Sequence, residues 1–163
     1  MTTSIAVFPG TFDPITYGHL DIIQRAASLF DRVLVAVAVG QHKTPLLPLE
    51  QRLIVVKSAI ESHPNVHVHP LEGLLADFLR KHQAHYVIRG LRKTGDLDRE
   101  IQLHDTQKQL YPTLESVFLL SSPNYRFISS TFVREIARLG GDVTPFVPVA
   151  VKQVIQDVLA GEV

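Results

Sequence analysis

The feature that most constrains this chain is Val33-Leu34-Val35-Ala36-Val37-Ala38-Val39, seven consecutive apolar residues dominated by β-branched side chains. A strand of that kind has no polar face to turn toward water, so both faces must be covered, as in a parallel sheet held between two helix layers. Shorter strand-like runs recur at Ile5–Phe8, Val66–His69, Tyr86–Ile88 and Ser116–Leu120. The gaps carry helical period. Leu20, Ile23, Ala27 and Phe30 repeat at three- and four-residue spacing and mark a helix beginning near Gly18. Similar stripes predict helices over Glu50–Glu61, Leu74–His82, Asp98–Leu110, Thr131–Leu139 and Val149–Leu159. The alternation predicts a doubly wound α/β fold: a five-stranded parallel sheet followed by a C-terminal helical segment.

At 163 residues the chain is expected to form a single domain, spanning 1–163, with no internal repeat and no Gly/Ser linker. Lys and Arg number 16 and Asp and Glu number 16, so there is no basic excess of the kind that duplex nucleic acid or an anionic membrane calls for. The 7% aromatic content comes without an arginine-rich tract, which also disfavours an RNA platform. Absence of cysteine removes disulfides, thiolate metal ligands and thiol nucleophiles. No stretch approaches the ~18 apolar residues of a spanning helix, and the N-terminus has no basic start leading into a long apolar run. A soluble cytoplasmic protein is expected.

In open α/β sheets ligands bind beyond the carboxyl ends of the strands, which directs attention to four loops. The first, Phe8-Pro9-Gly10-Thr11-Phe12-Asp13-Pro14-Ile15-Thr16-Tyr17-Gly18-His19, has neither GxGxxG nor GxxxxGK[ST]. It offers instead a glycine for close backbone approach, a hydroxyl at Thr11, and Gly18-His19 in a first helical turn, where free N–H groups favour an anion. The second loop carries Lys43 after the buried strand; on residue type alone it reads as a solvated lysine, and His42 as surface. The third, Arg89-Gly90-Leu91-Arg92, places two guanidinium forks at a strand end, suited to phosphate or to structural pairing with Asp96 or Asp98. The fourth, Ser129-Ser130-Thr131, supplies an N-cap and, with free helical N–H groups, an anion site. His67 and His69 share one strand face and could ligate a metal, though a surface strand is the simpler reading. His82 and His85 read as partners of a helix C-terminus, and Leu74 and Leu75 as core.

Two strings in this order are specific. Thr16-x-Gly18-His19, preceded by Pro-Gly-Thr-Phe-Asp-Pro, resembles the [HT]xGH signature of the nucleotidyltransferase superfamily, and Ile128-Ser-Ser-Thr-x-x-Arg134 resembles its ISSTxxR signature. With Arg-Gly-Leu-Arg between them, the chain from Phe8 to about Leu159 is similar to the phosphopantetheine adenylyltransferase family. It departs from that family's common pattern at Asp96-Leu97-Asp98-Arg99-Glu100, where relatives carry an aromatic pair in place of Leu97 and Arg99.

The resemblance implies a Rossmann-like fold and reversible transfer of the adenylyl group of ATP to 4′-phosphopantetheine, by in-line attack without a covalent enzyme intermediate. It implies His19, Lys43 and Thr11 as the catalytic set. ATP would be bound by Thr11, Phe12, His19, Gly90, Leu91, Arg92, Glu100, Tyr125, Arg126, Phe127, Ile128, Ser129, Ser130 and Thr131. The acceptor would be bound by Thr11, Lys43, Leu75 and Arg89. Mg²⁺ is expected with ATP, with no dedicated protein metal site; a homohexamer and inhibition by coenzyme A follow from the same resemblance. The alternatives are a nucleotidyltransferase acting on nicotinate mononucleotide or glycerol phosphate, and a non-catalytic nucleotide sensor.

Overall fold

A computed structural model describes residues 3–39 and 44–162. Its order is β1 (Ile5–Gly10), α1 (Tyr17–Leu29), β2 (Arg32–Ala38), α2 (Leu49–Ala59), β3 (Val66–Leu71), α3 (Leu75–His82), β4 (Tyr86–Leu91), α4 (Thr94–Leu110), β5 (Glu115–Leu120), α5 (Ser130–Arg138) and α6 (Val149–Ala160). The strands form one parallel sheet in the order β3-β2-β1-β4-β5. The expected α/β class and strand number hold.

β2 is buried from Val33 to Val37, as a strand with two apolar faces requires. On one side of the sheet Val33, Val35 and Val37 pack with Ile22, Ile23 and Ala26 of α1, Val55 and Val56 of α2, Val133 of α5 and Val151 and Ile155 of α6. On the other, Val7, Leu34, Ala36 and Val87 pack with Phe78 and Leu79 of α3 and with Leu114. α6 thus closes the larger core layer and is part of the fold.

Several element boundaries differ from expectation, with β3 running on to Leu71 and β4 to Leu91 and α2 ending at Ala59, and two of the differences bear on the site. α4 begins at Thr94, four residues before Asp98, because the Asp96 carboxylate accepts the N–H groups of Arg92 (2.9 Å) and Lys93 (3.2 Å) and caps a turn that Gly95 disguises in sequence. β1 continues through Pro9 to Gly10, paired with β2 up to Gly10↔Val37. Against β4, however, its register covers only Ala6↔Tyr86 and Val7↔Val87. Pro9 has no N–H to give to a ladder, and past Val7 the two central strands part. This is where the strand order reverses, and the opening between β1 and β4 is the mouth of the site.

Candidate active site

The parted ends of β1 and β4 open into a cleft of about 400 Å³ whose walls come from the β1–α1 loop, the start of α1, the end of β4, α4 and the start of α5. His19 stands at its centre. Thr16 is the N-cap of α1: its hydroxyl accepts the His19 N–H at 3.4 Å, and its own N–H donates to His19 Nδ1 at 3.1 Å. This is a capping box with histidine in the place usually held by Glu or Gln. Because Nδ1 accepts a backbone proton, the neutral ring carries its own proton on Nε2. Enclosure lowers the His19 pKa to about 4, with Arg92 adding a smaller push in the same direction. The imidazole is therefore a neutral donor at ordinary pH.

Its orientation is held by rings. Phe12 meets His19 edge-on at 5.0 Å and Phe8 at 5.5 Å. Phe12 is 2% exposed and has φ of 48°, a left-handed conformation that costs a non-glycine residue on the order of 1 kcal/mol or more. Gly10 is obligatory for that arrangement, since a Cβ there would lie 2.9 Å from Phe12 Cε2. Gly90 serves packing as well, with Ile22 of α1 3.3 Å from where its Cβ would be.

The residues flanking Phe12 are tied down by groups distant in sequence. Arg52, 1% exposed in α2, donates to the carbonyls of Thr11 (2.8 Å), Ala38 (2.6 Å), Leu47 (3.0 Å) and Val39 (3.3 Å). Asp13, 4% exposed, accepts the N–H groups of Leu46 (2.9 Å) and Leu47 (2.8 Å), and its carbonyl accepts Arg134 Nη1 at 2.6 Å. Across the cleft, the Asp21 carboxylate of α1 holds the entry to the late loop through Ser122 N–H (3.0 Å) and Ser122 Oγ (2.6 Å).

The opposite wall is charged. Arg89 is buried and pairs with Glu100 at 3.4 Å and with Gln107, while Arg92 makes the structural pairing with Asp96, at 3.9 Å. The Arg89–Glu100 contact is ionic without hydrogen-bond geometry, and Arg89 Nε and Glu100 Oε2 are buried with no hydrogen-bond partner among the described residues. Such groups are costly to bury unless a ligand completes them. At the rim, Ser129 caps α5 by accepting Phe132 N–H (3.2 Å), Ser130 donates its hydroxyl to Pro14 O (2.8 Å), and Thr131 accepts from Arg134 (3.2 Å). The hydroxyl protons of Ser129 and Thr131 stay available to an anion, whereas that of Ser130 is already engaged in joining α5 to the first loop.

The cytidylyltransferase-like family model matches residues 7–136. A phosphopantetheine adenylyltransferase from Janthinobacterium sp. (strain Marseille) is 45% identical over 157 residues, covering 96% of this chain and 98% of the relative. One from Hahella chejuensis is 47% identical over 154 residues, covering 94% and 96%. The chain belongs to the phosphopantetheine adenylyltransferase family. A crystal structure from Vibrio parahaemolyticus, provisionally described as a nicotinate-nucleotide adenylyltransferase, shares the fold at a TM-score of 0.74 and 19% identity, covering 99% of this chain and 98% of its own.

Of the residues that membership in this adenylyltransferase family implies, the cleft brings together Thr11, Phe12, His19, Arg89, Gly90, Arg92, Glu100, Ile128, Ser129, Ser130 and Thr131. Leu91 is buried beside it without lining it, and Tyr125, Arg126 and Phe127 sit on the late loop outside its walls. Leu75 packs against the smaller core cluster and does not reach the cleft. Lys43 lies outside the described residues. His69 packs against Phe78 and His82 at ring distances of 6.3 and 4.9 Å, and no group of three or more metal-ligating side chains occurs among the described residues. His85 does not partner the end of α3: it stacks on Tyr111, the C-cap of α4, and bonds Tyr111 Oη (2.9 Å) and Thr113 Oγ1 (3.0 Å). Sequence reading missed Asp13, Asp21, Arg52 and Arg134; of these Asp13 and Arg134 had a signal, as letters of the Pro-Gly-Thr-Phe-Asp-Pro and second signature strings.

Proposed function

We propose that this chain transfers the adenylyl group of ATP to 4′-phosphopantetheine, releasing pyrophosphate and forming dephospho-coenzyme A. The observation that carries this reading is the near full-length identity of 45–47% to relatives bearing that name, and the donor set of the cleft suits the chemistry. An acceptor phosphate oxygen attacks the α-phosphorus; the new P–O bond forms as the bond to the β-phosphate oxygen breaks, and pyrophosphate leaves with the electron pair. No protein nucleophile is needed, and the acceptor needs no base, because a phosphate monoester is already largely ionised. The chain's task is to align the two phosphates and stabilise charge on the crowded phosphorus.

His19 donates Nε2–H to an α-phosphate oxygen, with its tautomer set by the Thr16 N–H. Thr11 and Lys43 orient the attacking phosphate. Arg89, through its unpaired Nε, completes its hydrogen bonding on the acceptor side, and Glu100 accepts from the nucleoside. Arg92 and the Ser129–Thr131 turn hold the leaving pyrophosphate at the start of α5. Magnesium suits this donor set as part of the nucleotide complex, held by phosphate oxygens and water, since the Asp13 carboxylate is committed to Leu46 and Leu47. On the same reading the enzyme works in the cytoplasm as a homohexamer, with coenzyme A competing for the cleft. Exposed Leu120, Phe127, Phe132 and Leu139 supply apolar surface for such assembly.

The test is pyrophosphate release from ATP offered in parallel with 4′-phosphopantetheine, nicotinate mononucleotide and glycerol phosphate. Release with the first alone is expected. Release only with another acceptor overturns the substrate, and release with none of them favours a nucleotide sensor.

A further inference from the structure

The buried charge that no catalytic role absorbs is Arg52. It is almost wholly enclosed, carries no carboxylate hydrogen bond, and spends its guanidinium on four main-chain carbonyls. Burial lowers its pKa and the nearby Asp13 opposes that effect, so a charge is kept inside the protein where a hydrophobic residue would serve packing alone. The carbonyls it gathers belong to three different places: the β1–α1 loop (Thr11), the end of β2 (Ala38, Val39) and the entry to α2 (Leu47). Thr11 immediately precedes Phe12, the residue in left-handed conformation whose ring abuts His19. On the other side of Phe12, Asp13 is fastened by Leu46 N–H, Leu47 N–H and Arg134. The peptide before the strained residue is therefore fixed from α2 through Thr11 O, and the residue after it by the entry loop of α2 through the Asp13 carboxylate and by Arg134 of α5 through the Asp13 carbonyl; Arg52 itself does not line the cleft.

We propose that Arg52 is a positioning residue of the reaction: with Asp13 as its counterpart, it locks the Thr11–Asp13 backbone so that the Phe12 ring holds the His19 imidazole in line with the α-phosphorus. The proposal rests on the reading of His19 given above. A guanidinium fork suits this task because its planar donors diverge toward carbonyls on separate elements, which a single ammonium cannot span.

Arg52→Lys, in the full chain, keeps the charge and most of the volume. Its kcat for pyrophosphate release is expected to fall about 10- to 100-fold, as a displacement of ~1 Å at a reacting centre does, with the KM for ATP within about threefold. Rates are expressed per nucleotide-binding site counted by calorimetry, so loss of folded protein does not register. A second readout needs no substrate: the His19 imidazole titration by nitrogen-15 NMR, whose midpoint is expected to climb from about 4 toward the ordinary 6.5 as the ring loosens. Asp13→Asn, which puts a donor against Leu46 or Leu47 N–H, keeps the test alive should Arg52→Lys fail to fold, and is expected to move both readouts the same way. An unchanged kcat per site together with an unchanged His19 midpoint overturns the proposal. A wild-type chain inactive with 4′-phosphopantetheine would instead overturn the functional reading, while the titration still decides the role of Arg52.

Discussion

Gly10→Ala is the sharpest probe of how the first loop is built. An added Cβ lies 2.9 Å from Phe12 Cε2 and 3.0 Å from Cζ. To reach ordinary contact near 3.5 Å the ring must retreat by about half an ångström, and it is enclosed by Phe8 and His19 at 5.5 and 5.0 Å. Overpacking of this sort costs about 1–3 kcal/mol. For a chain of this length that corresponds to a fall in Tm of roughly 2–12 °C. The half-ångström shift is transmitted to the His19 edge, so kcat should fall about tenfold. The assay is a double-mutant cycle by urea unfolding and steady-state pyrophosphate release, using Gly10→Ala, Phe12→Leu and both together. Removing the ring removes the clash, so the double mutant should be more stable than the sum of the singles implies by at least about 1 kcal/mol. Stability within about 0.3 kcal/mol of wild type for Gly10→Ala, or strict additivity in the cycle, would refute the packing argument.

Three further outcomes are expected. His19→Gln preserves a capping-box acceptor for Thr16 N–H while deleting the imidazole, so the melting temperature should stay near wild type as kcat drops about 10²–10³-fold; calorimetry beside the rate assay checks both. The lowered His19 pKa gives a linkage with a definite sign: between 6.5 and about 4 the unfolded chain binds the proton and the folded one does not. The contribution of His19 to stability is thus full above pH 6.5 and lost as pH falls toward 4, by up to about 3 kcal/mol, an effect that urea melts should show in wild type and lack in His19→Gln. Asp21→Ala removes both anchors of Ser122, so it should raise the KM for ATP several-fold and destabilise by about 1–3 kcal/mol, read by kinetics and thermal melts.

The sheet was legible because Val33 to Val37 admits no solvated face, and the site because Thr11, His19, Arg89, Arg92 and Ser129 all stand at or just beyond strand ends where a parallel sheet presents its ligand. The frame around them was not. Arg52 sits in Glu50-Gln51-Arg52, which reads as the solvated face of a helix, and the carbonyls it binds are 5 to 41 residues away. Asp13 before Pro14 reads as a turn, and its partners at Leu46 and Leu47 are main-chain groups that leave no mark in side-chain identity. The early start of α4 was hidden for a related reason: Gly95 argues against a helix while the Asp96 side chain, acting locally, makes one. Arg134 shows the converse, a residue visible in a signature string whose task, joining Asp13 O to Thr131, only the fold reveals.

In α1 the His19 imidazole belongs to the third residue of the helix and is also the acceptor for its N-cap. Helix initiation and the fixing of the His19 tautomer are consequently one event. A molecule in which the first turn of α1 frays loses the Thr16 N–H bond that keeps the His19 proton on Nε2. Alanine at this position would conflate two losses, and an inactive variant made that way says as much about the turn as about the chemistry.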